Sequence, residues 1–216
     1  MAFHYELRFV GIGGQGNMLA GTIFAETAIQ YEHRFATQVP TYTSQVRGGP
    51  TKADVIIADE PIEFPESTHV DFMLALDQRT YDMYKSDLKN RALVLVDNNL
   101  VRVPVRDQEN WDVYGFPIIS TAKYEIGNVM TANILAVGMT VELTGVLARD
   151  SVRKTIQSRI KPALLEINMK AFDKGLDVAK SLRIKKLEQR ATPVLLSGHL
   201  SEPEFTAASS EPTRTV

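Results

Sequence analysis

The stretch VGIGGQGNMLA, Val10 to Ala20, constrains the fold more than any other part of the chain. Its glycines Gly11, Gly13 and Gly16 carry the GxGxxG spacing of a turn that leads from a strand into a helix and meets a dinucleotide. The flanks supply that context. Tyr5 to Ile12 reads as a strand, and Asn17 to Tyr31 reads as a helix, with Gly21, Phe24, Ala25, Ala28 and Ile29 at helical spacing. Glycine admits positive φ and removes the side chain that would block an approaching anion. The amides of Gly14 to Asn17 would then face outward at the positive end of a helix dipole. Gln15 adds a neutral donor and acceptor, and Asn17 is placed either to cap the helix or to touch a ligand. The same spacing also serves a tight turn that binds nothing, so the loop alone leaves both readings open.

Beyond it, strands and helices alternate. Strands are predicted at Arg34 to Pro40, Ala53 to Asp59, Val70 to Leu76 and Ala92 to Asn98. Short strands are predicted at VRVPV (Val101 to Val105) and FPIIS (Phe116 to Ser120), around a surface loop holding Trp111. The near-continuous apolar run Val70 to Leu76 suits a sheet covered on both faces. Helices are predicted at Gln78 to Leu88, at Gly127 to Thr144 with Gly145 as its stop, and at Arg149 to Ile160 with Asp150 or Ser151 as cap. A last helix starts with Pro162 in its first turn and runs to about Leu182. The pattern implies an α/β fold: a three-layer Rossmann-like domain over 1–182, with a largely parallel sheet and C-terminal helices. Residues 183–216 read as a C-terminal tail, disordered or bound to a partner. Ligands in such sheets bind beyond the C-terminal ends of the strands, where the glycine loop lies.

Composition narrows the chemistry. The formal charge of −2 gives no general attraction to nucleic acid or to an anionic membrane. With no cysteine, the chain excludes thiolate-ligated iron–sulfur clusters, Cys-based zinc sites and cysteine nucleophiles of its own. No run of about 18 apolar residues and no signal layout is present, so a cytoplasmic location is expected. His4, His33, His69 and His199 are scattered and predict no metal site.

A dinucleotide site also needs an acid about 20 residues past the loop, at the end of the second strand. Glu32 has the right count but precedes that strand, whose end carries Val39, Pro40 and Thr41. The following loop, TYTSQVRGGPTK, is more informative. It places Ser44, Gln45, Arg47, Gly48, Gly49 and Lys52 beside the first loop. Arg47 is a permanent cation suited to phosphate, and Gly48 and Gly49 let main-chain amides come close. An ordinary turn with a solvated arginine is the alternative. Asp54, Asp59 and Asp71 read as solvated or capping, Asp97, Asn98 and Asn99 as turn residues, and Asn128 and Asn133 as caps or subunit contacts.

Taken together, GIGGQGNMLAGTIFAETA, TYTSQVRGGPTKADVIIADEPIEFP, DFMLAL, GNVMTANILAVGMTVELTG and EINMKAFDKGLD resemble the γ subunit of 2-oxoacid:ferredoxin oxidoreductases. The likeness runs from about Phe9 to about Asp177, and the pair GxGGQG and SQVRGG is its most specific part. It implies a subunit that has no activity alone. Within a complex it would contribute CoA binding to the oxidative decarboxylation of a 2-oxoacid to an acyl-CoA, with electrons passed to ferredoxin. Thiamine diphosphate, Mg and [4Fe-4S] clusters are implied on partner α and β subunits, with a ferredoxin-like δ subunit as a further candidate. 2-Oxoglutarate is the favoured substrate and pyruvate the next. The implied CoA-binding residues are Gly13, Gly14, Gln15 and Gly16 in the first loop, and Ser44, Gln45, Arg47, Gly48 and Gly49 in the second. No catalytic or metal-binding residue is implied. The missing ribose acid then fits, because CoA carries a 3′-phosphate that an acid would repel. A stand-alone NAD(P)-binding module and a structural subunit without ligand are the competing readings.

Overall fold

A computed structural model describes residues 2–42 and 48–191. Six strands form one sheet in the order β2-β3-β1-β4-β5-β6. They are β1 (His4–Ile12), β2 (Phe35–Tyr42), β3 (Pro50–Ala58), β4 (Val70–Ala75), β5 (Leu88–Asp97) and β6 (Asp112–Phe116). β1, β4, β5 and β6 pair in parallel, while β3 runs antiparallel to both β1 and β2. The sheet is therefore largely parallel, with one reversed strand. The reversal has a simple cause. Only seven residues separate Tyr42 from Pro50, too few for the crossover that a parallel neighbour requires.

α1 (Asn17–Gln30), α5 (Ala132–Thr144), α6 (Arg149–Arg159) and α7 (Pro162–Ala191) cover one face. α2 (Gln78–Tyr84) and α3 (Val105–Asn110) lie toward the other, over a smaller cluster built on Val10, Met73, Tyr81, Val94 and Val96. The larger core is centred on Phe9, which packs against Phe24 at 5.4 Å and Phe72 at 6.2 Å between ring centroids. Each such ring, once buried, contributes about 2–3 kcal/mol from apolar area. α5 is apolar nearly all round because it is enclosed, and eleven of its thirteen residues are buried. It crosses α7 main chain on main chain. A Cβ added at Gly138 would lie 2.3 Å from the Phe172 carbonyl oxygen, and one at Gly175 would lie 2.2 Å from that of Leu135.

Several local expectations are corrected. Val101 to Pro104 forms no strand, because the Val101 amide turns back to Asp97 O at 2.8 Å, and Val105 opens α3. The FPIIS segment splits: β6 ends at Phe116, and α4 (Ile118–Thr121) begins after Pro117, its Ile119 amide held by Asp97 Oδ2 at 2.8 Å. The helix expected from Gly127 begins at Ala132. Gly127, at φ 95°, ends a π-turn over Ala122–Ile126, and Asn128 caps a 3-10 turn over Val129–Thr131 through Oδ1. α5 does stop at Gly145, as expected. Neither Asp150 nor Ser151 caps α6; Ala148 stands at that position, and its amide donates to Glu32 Oε1. α7 continues past Leu182 to Ala191.

Asp54 is also corrected. It is buried, not solvated, and receives Arg8 Nε at 2.8 Å and Nη2 at 3.0 Å. Arg8, fully buried at mid-β1, also donates to Asp87 Oδ2 at 2.6 Å and to the carbonyls of Tyr84 and Ser67. All five guanidinium N–H groups thus have an acceptor. Desolvation alone would raise the Asp87 carboxyl, but the hydrogen bond and charge of Arg8 outweigh it and hold Asp87 below its ordinary value. No helix among the described residues is long and apolar enough to cross a membrane.

Candidate functional site

The first glycine loop leaves β1 at its C-terminal end and enters α1 through Gly16, whose φ of 80° is left-handed. A Cβ there would also meet Asn133 Nδ2 at 2.5 Å, so glycine is required twice over. Gly14 is likewise left-handed, at φ 108°. No side chain caps α1, and no acidic residue stands in its first turn. Among the described residues, no acceptor pairs with the amides of Gly14, Gly16 and Asn17. These donors stand at the positive end of a fourteen-residue helix.

The second loop reaches the first through the main chain. The Gly13 amide donates to Gly49 O at 2.9 Å. Pro50 pairs with Ile12, which puts the start of β3 beside the end of β1. Gly48 follows at φ 76° and is exposed. Ser44, Gln45 and Arg47 lie outside the described residues. The expected proximity of the two loops is therefore present at Gly13 and Gly49.

The geometry redefines several side chains. The Gln15 side-chain amide is tied to main chain on both of its atoms. Its Oε1 accepts from the Ile12 amide at 2.8 Å and its Nε2 donates to Leu76 O at 3.1 Å. Gly11 makes room for this, since a Cβ there would lie 2.2 Å from Gln15 Oε1. Asn17 is not the cap; it donates to Thr51 Oγ1, which in turn donates to Gly11 O. Lys52 is bound to Asp54 at 2.7 Å, and Glu32 is committed to Ala148. The Asp97 carboxylate accepts from the amides of Asn99 and Ile119, a turn role.

Beside the loop lies a pocket of about 130 Å³. Gly14, Gln15 and Gly16 form one wall. Leu76, at the end of β4, and Ile119 of α4 form another, with Val129 and Met130 at the 3-10 turn. Asn133, in the first turn of α5, completes it. The sequence alone suggests a cap or a subunit contact for Asn133. More than a hundred residues separate it from Gly16, and only the packing of α5 beside α1 brings them together. Among the described residues, no cluster of His, Asp or Glu could hold a metal ion.

Comparison with known proteins adds a lineage to this geometry. The sequence pattern of the pyruvate ferredoxin/flavodoxin oxidoreductase family matches residues 6–178. A 2-oxoglutarate synthase subunit KorC from Methanocaldococcus jannaschii is 38% identical over 177 residues, covering 82% of this chain and 95% of that one. A KorC subunit from Archaeoglobus fulgidus is 32% identical over 193 residues, covering 89% and 97%. The crystal structure of a keto/oxoacid ferredoxin oxidoreductase gamma subunit from Geobacter sulfurreducens superposes with a TM-score of 0.76 at 42% identity, over 84% of this chain and 99% of that one. A 2-oxoglutarate:ferredoxin oxidoreductase from Magnetococcus marinus, with 2-oxoglutarate, coenzyme A and succinyl-CoA bound, shares the fold at TM-score 0.73 and 23% identity. It matches 83% of this chain and 31% of that one.

Proposed function

The chain belongs to the pyruvate ferredoxin/flavodoxin oxidoreductase family, and from that premise we propose that it is the gamma subunit of a 2-oxoglutarate:ferredoxin oxidoreductase, contributing the binding of CoA. The relatives at 38% and 32% identity are 2-oxoglutarate synthase subunits, which supports the substrate. The structure from Magnetococcus marinus that shares the fold has coenzyme A bound, which supports the ligand.

The observation that carries the reading is the main-chain bond from Gly13 to Gly49. It joins two glycine loops at the strand ends, one with unpaired amides at a helix N-terminus and one that includes Arg47 two residues before Gly49. Helix amides and a guanidinium suit an anionic, phosphate-bearing ligand. CoA fits this donor set better than NAD(P), because no acid at the end of β2 stands ready for a ribose and Glu32 is engaged elsewhere.

The other cofactors of the reaction do not fit this chain. It has no thiolate for an iron–sulfur cluster. Its described residues hold no metal-ligating cluster. Thiamine diphosphate with Mg, and [4Fe-4S] clusters, belong to partner α and β subunits in this reading. Thiamine diphosphate supplies the carbanion chemistry when bound there. This chain's part is to bind and orient CoA and to help cover the reacting centre.

The test is made on the assembled complex. The chain purified alone should show no oxidoreductase activity and should copurify with larger subunits. Arg47→Ala should raise the CoA concentration needed for turnover about tenfold, as expected for loss of a charge-assisted contact worth about 1.5 kcal/mol, while CoA-independent decarboxylation is spared. Turnover by the isolated chain would refute the subunit role, and an unchanged CoA dependence would remove Arg47 from the site.

A further inference from the structure

Two buried side-chain atoms among the described residues lack a hydrogen-bond partner, Asn17 Oδ1 and Ser67 Oγ. Asn17 belongs to the glycine loop already described. Ser67 stands elsewhere, in the segment before β4, and is 7% exposed. Its carbonyl accepts from Arg8 Nη2 at 3.3 Å, which pins the residue, while its hydroxyl stays unmatched. A buried hydroxyl without a partner is costly, and a partner from outside the chain would remove that cost. Ser67 lines a cleft of about 400 Å³ beside β2, the last strand at that side of the sheet. Val39 of β2 contributes an apolar side, and Lys52, Asp54, Glu66 and Asp87 supply the charge.

The charge of the cleft is unbalanced. Asp54 is met by Arg8 at 2.8 Å and by Lys52 at 2.7 Å, and Asp87 by Arg8 at 2.6 Å. Arg8 has no donor left. Two cations thus face three carboxylates, and Glu66 is exposed and without an ion pair among the described residues. The Asp87 side chain is itself 43% exposed. A cationic group entering here meets surplus negative charge and an unmatched oxygen. Arginine has a better donor set for this than lysine, because its planar fork carries five N–H groups where the ammonium carries three. Given the subunit reading above, on which this rests, we propose that the cleft receives an arginine side chain of a partner subunit. One of its N–H groups donates to Ser67 Oγ and others donate to the Asp87 and Glu66 carboxylates, while Val39 meets its alkyl stem. The cleft is then a docking point for assembly, separate from the glycine loops.

The affinity of the full chain for the remaining subunits of its complex, measured by titration at low salt, tests this. Ser67→Ala separates docking from a structural role by sign. In the free chain it removes an unmatched hydroxyl, so the denaturation midpoint should hold or rise. In the complex it leaves an N–H of the arginine unpaired, and assembly should weaken about tenfold, the size of one charge-assisted hydrogen bond. Glu66→Gln changes an exposed side chain, so it keeps the test valid if Ser67→Ala fails to fold. It should weaken assembly about threefold, and less as salt is raised. Glu63→Gln, at an exposed carboxylate outside the cleft, should leave assembly unchanged. Arginine methyl ester should compete with the unmodified chain more strongly than lysine methyl ester, and Ser67→Ala should erase that difference. Equal competition would overturn the assignment to arginine. A lower midpoint for free Ser67→Ala would give the hydroxyl a partner inside the chain and overturn the proposal. Unchanged assembly in both cleft variants would overturn it too, as would equal weakening by Glu63→Gln, which would reduce the effect to net charge. Failure of the unmodified chain to assemble with any larger subunit would remove the subunit role itself, and this docking point with it.

Discussion

Two polar regions touch β1, and they are built on opposite terms. Around Arg8 every donor is matched: five N–H groups meet two carboxylates and two carbonyls. Around Gly16 the donors are sparse and neutral, and they stand open to the pocket. The denser cluster is the one whose guanidinium donors are all spent within the protein. The candidate site is therefore marked by unspent main-chain donors at the strand ends rather than by density of charge.

The comparison can be broken by substitution. The largest effect is expected at Arg8→Ala, which takes the bidentate partner from buried Asp54, leaves it only Lys52, and should cost about 3–5 kcal/mol of unfolding free energy in denaturant titrations. CoA binding by the fraction that folds should be unchanged. A loss below about 1 kcal/mol would deny the cluster its structural role. Gly16→Ala should cost less, about 2 kcal/mol, from a left-handed residue forced to carry a Cβ. Unlike the Arg8 change, it should also weaken CoA, because the added methyl displaces Asn133. If CoA affinity survives, the loop is only a turn. Gln15→Ala removes two side-chain bonds to main chain and should cost about 1 kcal/mol. Its effect on CoA should track the loss of stability, and a larger effect would restore Gln15 as a direct contact.

The smallest effect is on acid stability. Asp87 has its carboxyl held below the ordinary value, so its contribution is complete above the unfolded pKa of about 4 and fades as pH falls through the lower folded value. Asp87→Asn should flatten the loss of stability below about pH 4. An unaltered acid limb would show that other carboxylates dominate it.

Much of the fold was legible because its periods are clear. The alternation in YELRFVGI and the apolar run VDFMLAL announce half-buried and doubly covered strands, and Gly16 and Gly145 mark helix ends. The same alternation hid Arg8. Glu6 and Arg8 alternate with Leu7 and Phe9, the pattern of a strand with one wet face. That face is instead closed by Ser67, Tyr84 and Asp87, which are remote in sequence. The reversal of β3 was readable in principle from its seven-residue connection. At the site, Gly14, Gly16 and Gly48 were readable because each takes a left-handed backbone angle. Asn133 and Met130 were not, because their proximity to the loop arises only when α5 is docked. The role of Gln15 was obscured for the same reason: its partner, the Leu76 carbonyl, follows the neighbouring strand β4, sixty-one residues on in sequence.

The bond between Gly13 and Gly49 uses only atoms common to every residue. It needs no particular side chain at either end, so substitution elsewhere in the loops leaves the donor and the acceptor themselves unchanged. A ligand preference could change through such substitutions with no change in the scaffold beneath it.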